Sequence, residues 1–144
     1  MLLKENTKTK IKGAEDIAKI MTAILGVESQ VDQDKEHFWV IGLTTRNVVK
    51  YIELVSLGSL NQTIANPREV FRTAIMQGVC SIIAVHNHPS EDTKESPEDK
   101  IITKQLVEAG KIIGIALLDH IIIGGKNEVF DHNSLKESCS HIFY

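Results

Sequence analysis

The stretch Cys80-Ser81-Ile82-Ile83-Ala84-Val85-His86-Asn87-His88-Pro89-Ser90, written CSIIAVHNHPS, runs from a nearly pure apolar segment into a polar loop. From Cys80 to Val85 it carries one hydroxyl and no charge, the pattern of a central strand covered on both faces. Pro89 ends regular pairing immediately after the second histidine. Two imidazoles therefore stand at the C-terminal edge of a buried strand, where open α/β sheets place their sites. If the strand continues through His88, then His86 and His88 project to one face and Asn87 to the other, since side chains alternate with a period of two. Cys80, at the head of the strand, is expected to be a buried thiol.

Working outward, Asn66-Pro67-Arg68-Glu69 announces a helix before this strand, with Asn66 as cap and Pro67 in the first turn. Val70, Phe71, Ala74 and Ile75 supply its apolar stripe, and Gly78 stops it. After the loop, Ser96-Pro97-Glu98-Asp99 starts a helix that runs to about Ala109, packs through Ile101, Ile102, Gln105 and Leu106, and ends at Gly110. Strands are expected over Lys111 to Leu118 and His120 to Ile123, then a turn at Gly124 to Asn127, a short strand around Val129, and a short helix with a frayed end. Upstream, Ala14 to Leu25 has helical spacing with Gly26 as its cap, and residues 27–36 form a polar connector. The segments HFWVIGL (37–43) and VVKYIELVSL (48–57) read as a hairpin. Helices that separate buried strands in this order predict a three-layer α-β-α domain around a central mixed sheet, one domain spanning residues 1–144 with an arm and helix over 1–35 and a core over 36–131.

Composition sets the broad class. The chain has 144 residues, 42% hydrophobic and 24% charged, with a net charge of -3, which excludes disorder and fibrous repeats. Lys4, Lys8, Lys10 and Lys12 are loosely spaced around Glu5, so the start reads as a solvated arm, and a nucleic-acid partner gains no support from electrostatics. No apolar run reaches the ~18 residues of a membrane span. Two cysteines form neither a disulfide framework nor a cysteine zinc cluster, and a reducing cytoplasm fits this usage.

A catalytic zinc commonly takes three protein ligands and keeps one position open. Asp99 is the candidate third ligand, because Pro89 to Glu98 can loop out and return the next helix over the strand end. Ser96 and Asp99 also have capping-box spacing, and Asp in a first turn is favoured by the helix dipole. One carboxylate can do both, with one oxygen toward a metal and the other toward backbone N–H groups. A hydrolytic site further needs a base, and Glu36, Glu53 and Asp119 all lie where a strand end could present them. Periodicity does not choose among the three.

Taken together, NPREVFRTAI (66–75), SIIAVHNHPS (81–90) and LLDHIIIG (117–124), with His86-x-His88, ten residues, then Asp99, resemble the JAB/MPN metalloprotease domains and, among them, the bacterial RadC proteins. The resemblance runs from about Glu36 to Asp131. It implies a cytidine deaminase-like α/β architecture and a Zn2+ held by His86, His88 and Asp99. It further implies a general base at Glu36, which precedes an apolar strand as the family glutamate does, and an oxyanion donor at Ser96. Asn87, Asp119 and His120 are then candidates to support the ligands, His120 most simply through a structural hydrogen bond. The implied activity is hydrolysis of an amide, peptide or isopeptide bond in a peptide or protein substrate. The alternative is a non-catalytic module that binds DNA or repair proteins, the association under which RadC proteins are known. Where RadC proteins carry glycine after HNHPS, this chain has Glu91. Full-length RadC proteins also have an N-terminal region like helix-hairpin-helix DNA binders, for which the residues before Glu36 leave room only for an arm and one helix.

Overall fold

The computed structural model describes residues 2–3, 9–58, 65–124 and 131–144. In chain order the elements are β1 (Leu2–Leu3), α1 (Ala14–Gly26), α2 (Gln30–Gln33), β2 (Glu36–Leu43), β3 (Val49–Gly58) and α3 (Pro67–Gln77), then β4 (Ser81–Asn87), α4 (Pro97–Ile113), β5 (Ala116–Ile123), β6 (His132–Ser134) and α5 (Leu135–Ser138), with a final 3-10 turn at Ser140–Phe143. Six strands form one mixed sheet in the order β1-β3-β2-β4-β5-β6. β2 and β3 make the expected antiparallel hairpin. Among the described residues β4 and β5 form the parallel pair, and α4 provides the crossover that parallel neighbours require.

Alternation along the strands divides the core in two. Phe38 and Val40 of β2 and Ile82 and Ala84 of β4 face α3 and α4, where Phe71, Ile102 and Leu106 cover them. Trp39, Ile41, Ile83 and Val85 face the other way, against Ile17, Met21 and Leu25 of α1. Helices cover both faces, so the domain has the three α-β-α layers and mixed sheet that the sequence predicts. Every residue of β4 is buried, which accounts for its lack of charge.

Several local expectations are corrected. α1 runs through Gly26 and is capped by Val27. α4 does not stop at Gly110: it continues through Lys111–Ile113 to the left-handed Gly114, and β5 begins only at Ala116. Gly110 is glycine for a packing reason, because a Cβ there would lie 2.4 Å from the carbonyl oxygen of Ile115 as the chain turns back. Ile75 and Ile101 are 58% and 45% exposed, and Gln105 is exposed too, so the buried stripe of α4 is Ile102, Thr103, Leu106 and Val107. Cys80 is exposed because β4 starts one residue later, leaving Cys80 in the bend that precedes it. The connector after α1 holds the short helix α2, whose Ser29 cap accepts from the Asp32 N–H. The N-terminal arm is not wholly solvated: Leu2–Leu3 pair with β3, and Lys10 bridges to Val48. The strand expected around Val129 and the turn beyond Gly124 lie outside the described residues; β6 forms at His132–Ser134.

Gly42 of β2 lies opposite Tyr51 of β3, whose ring covers it. A Cβ at this position would fall 2.1 Å from Cε1 of Tyr51, a ring with no exposed surface and no room to retreat. Gly42→Ala is expected to destabilise the domain by about 1–3 kcal/mol. Gly26→Ala, in a helix end with nothing within 4 Å of the added methyl, is expected to be neutral or stabilising. Urea unfolding of the two variants beside the parent checks both signs.

Candidate metal centre

The face division explains which side chains meet. His86 ends the β4 row that contains Ile82 and Ala84, so it looks toward α4. His88 lies just past the strand and is held there by its N–H, which donates to the Ile123 carbonyl at 3.0 Å. Asp99 sits in the first turn of α4, with Ser96 as the cap residue in a complete capping box. The Ser96 hydroxyl oxygen accepts from the Asp99 N–H at 3.1 Å, and Asp99 Oδ2 accepts from the Ser96 N–H at 2.8 Å. Asp99 Oδ1 lies 3.1 Å from His86 Nε2, and Oδ2 lies 3.2 Å from His88 Nε2. Capping and clustering thus coexist in one carboxylate.

Hydrogen-bond directions fix the ring tautomers. The Thr103 hydroxyl donates to the Asp99 carbonyl at 2.6 Å, so its oxygen accepts from His120 Nδ1–H at 2.5 Å. His120 Nε2 is then an acceptor and takes the proton of His86 Nδ1–H at 2.7 Å. His86 Nε2 is left with a lone pair. His88 Nδ1–H donates to the Asp92 carbonyl at 2.7 Å, leaving His88 Nε2 with a lone pair as well. The two bare nitrogens are 2.9 Å apart, beside a carboxylate that is 2% exposed. Lone pairs and a buried anion so placed call for a cation, and His86, His88 and Asp99 form a cluster that could hold a metal ion, with one ligand atom from each within 4.8 Å of the others. Zinc bonds of ~2.0–2.1 Å in tetrahedral array separate ligand atoms by roughly 3.3 Å, so the residues fit such an ion with a few tenths of an ångström of opening.

When a proton rather than a cation sits on either Nε2, Asp99 is the acceptor beside it. The hydrogen bond to Asp99 raises the affinity of His88 for its proton above that of an ordinary imidazole, against the effect of burial. Burial pushes the Asp99 carboxyl up, but the hydrogen bonds from His86 and His88 outweigh it and hold the group well below the usual carboxylate range. Complete burial drives His120 well below an ordinary histidine, which keeps it neutral, as its place in the chain of hydrogen bonds requires.

The cluster opens into a cleft of about 760 Å³ whose wall includes Glu36, His86, His88, Ser96 and Asp99. Glu36 begins β2, where Phe38 stands opposite His86, so the antiparallel register carries Glu36 toward His88. The other two acids are engaged elsewhere. Glu53 accepts from the Thr73 hydroxyl at 2.7 Å under α3, and Asp119 accepts from Ser134 at 2.6 Å and from the Lys136 N–H at 3.0 Å. Asp119, expected beside the ligands, instead joins β5 to β6 and α5, and burial raises its pKa. His120 does back His86, and Asn87, on the opposite face, reaches the chain before β2. Sequence reasoning missed Thr103. The available signal was a hydroxyl four residues after Asp99, inside the apolar stripe of α4.

An α/β domain in which two imidazoles and a carboxylate converge at a strand end has the side chains to hold a metal ion. Residues 11–139 match the family model described as the RadC-like JAB domain, and the chain belongs to that family. A UPF0758 protein of Desulforamulus reducens is 46% identical over 118 residues, 82% of this chain and 50% of its own length. One from Methanosarcina mazei is 46% identical over 120 residues, covering 83% and 50% of the two chains. A third, from Caldanaerobacter subterraneus, is 44% identical over 143 residues, 99% of this chain and 58% of the relative. The chain thus spans about half the length of the curated relatives it matches.

Two outcomes follow for metal binding. Because His88 keeps its proton above the ordinary value of 6.5, zinc must displace that proton, and affinity is expected to climb with pH through and beyond 6.5 before levelling off. Chelator competition between about pH 6 and pH 8.5 measures it. Thr103→Val keeps the shape but removes the hydroxyl that orients His120, and is expected to weaken zinc binding by about tenfold or more in the same assay.

Proposed function

We propose that this domain is a zinc-dependent hydrolase of amide, peptide or isopeptide bonds. The observation that carries the reading is the pair of bare imidazole nitrogens and the Asp99 carboxylate facing an open cleft with Glu36 on its wall. A donor set of two nitrogens and one oxygen suits zinc, and three protein ligands leave a position for water. When bound there, zinc supplies Lewis acidity, which polarises an amide carbonyl and lowers the pKa of a water.

The chain's own residues handle the proton and the developing charge. Glu36 takes a proton from the attacking water at its carboxylate and returns it to the leaving amine nitrogen. The Ser96 oxygen uses a lone pair to accept the Asp99 N–H, which leaves its O–H proton available. That proton is donated to the carbonyl oxygen as it becomes negative. Helix capping and oxyanion stabilisation therefore use different parts of one hydroxyl and do not compete. His120 and Thr103 keep His86 turned with Nε2 toward the cleft.

Peptides or proteins are the substrates of this reading. The cytoplasm is its place, in keeping with two cysteines that form no disulfide with each other. After purification with zinc, the parent is expected to hold about one ion per chain and the His86→Ala/His88→Ala double variant none. Glu36→Gln is expected to keep the zinc and lose about 10²–10⁴-fold in hydrolysis of casein-derived peptides and lysine-ε-amide-linked peptides, read by mass spectrometry. Equal zinc in parent and double variant would defeat the proposal.

A further inference from the structure

Asn87 lies between the two histidines in sequence, but its side chain leaves the opposite face of the sheet, and it is 1% exposed. Its Oδ1 accepts the backbone N–H of His37 at 2.6 Å. Its Nδ2 donates to the carbonyl of Lys35 at 3.0 Å, with a longer approach of 3.5 Å to the carbonyl of Gln33. The carboxamide therefore grips the residue before Glu36 and the residue after it.

We propose that Asn87 is the positioning residue of Glu36, fixing the base relative to the metal ligands. This rests on the reading of Glu36 as the base. The backbone pairing of β2 with β4 extends as far as Phe38 opposite His86. At the next step toward the site, the Asn87 side chain bonds to the β2 backbone in place of a ladder. An amide is the side chain that can do this, since it presents an acceptor and a donor in one planar fork; Asp lacks the donor and Leu lacks both. Because Asn87 shares its backbone with His86 and His88, any shift of the end of β4 carries ligands and base together. The separation on which proton transfer depends is thereby preserved.

A second anchor holds the same segment through the buried His37 on the same face of the sheet. His37 Nδ1–H donates to the Lys35 carbonyl at 2.8 Å, its Nε2 lies 2.5 Å from Glu28 Oε2, and its ring stacks on Trp39 with centroids 4.8 Å apart. Lys35 O accepts from both side chains, so the residue preceding the base is held by two donors. None of these contacts touches His86, His88 or Asp99, which makes the position of the base separable by mutation from the integrity of the ligands.

The test uses zinc alone for affinity and cobalt(II) alone as spectroscopic probe, in the parent, Glu36→Gln, Asn87→Ala and the double variant Glu36→Gln/Asn87→Ala. Zinc affinity is read by chelator competition, and the visible spectrum of the cobalt-loaded protein is followed with pH. Asn87→Ala is expected to retain zinc affinity within about threefold, since no ligand support is lost. The midpoint of its cobalt spectrum is expected to move in the same direction as that of Glu36→Gln, with the double variant moving no further than Glu36→Gln alone, the coupling of residues that act as one unit. Additive shifts, or an Asn87→Ala midpoint equal to the parent's while Glu36→Gln moves, overturn the clamp and leave the hydrolase reading intact. A parent that binds no cobalt overturns the hydrolase reading, and the clamp with it. If Asn87→Ala does not fold by circular dichroism, isosteric Asn87→Asp, which keeps the acceptor and sets oxygen against oxygen at Lys35, carries the same comparison.

Discussion

The carboxylate of Asp99 is the point on which the site depends. It closes the first turn of α4 by accepting the Ser96 N–H, and in the same position it faces both imidazoles at the end of β4. Its own carbonyl anchors Thr103, which orients His120, which orients His86, which faces the carboxylate again. The path forms a closed ring of contacts through one helix and two parallel strands. In a closed ring no member can turn alone, and in a dry setting each polar atom is costly to leave unmatched. The helix cannot slide along the sheet without opening the ring.

The sheet sorts the site's residues by task. Alternation sends His86 and His120 toward α4, where the cluster with Asp99 assembles, and sends Asn87 toward the connector before β2. The parallel pairing of β4 with β5 places His120 opposite Ala84, two residues before His86 in β4, close enough for ring to meet ring. The antiparallel pairing of β4 with β2 brings the start of β2 to the same edge from the opposite chain direction. Mixed polarity therefore lets one sheet edge collect the end of one strand and the beginning of another.

How much of this the sequence displayed depends on how local the cause was. The central strand, the hairpin and the helix starts were legible because charge-free runs, turn residues and caps such as Asn66 and Ser96 act within a few residues. Spacing made Asp99 a candidate partner for His86 and His88 while its capping box accounted for it equally well, and it was the resemblance to JAB/MPN domains that named the three together. Helix ends were less legible: Gly110 resembles a terminator in sequence, while its lack of a side chain answers to Ile115, which returns only after the helix has ended. Ile75 and Ile101 were read inward, yet apolar residues commonly remain on surfaces. The link from Thr103 to His120 was hidden because it joins two elements whose contact exists only once the crossover has formed.

Glu91 follows the ligand segment with φ of 70°, a left-handed conformation that costs a side-chain-bearing residue about 1–2 kcal/mol. Its N–H donates to the His88 carbonyl at 2.9 Å, and the next residue receives the His88 ring proton. The curvature there is imposed by the anchors, against the residue's own preference. Glycine would be the relaxed choice, so the side chain of Glu91 keeps this bend under strain. That strain is stored beside the His88 ring, in a residue outside the three that cluster at the site.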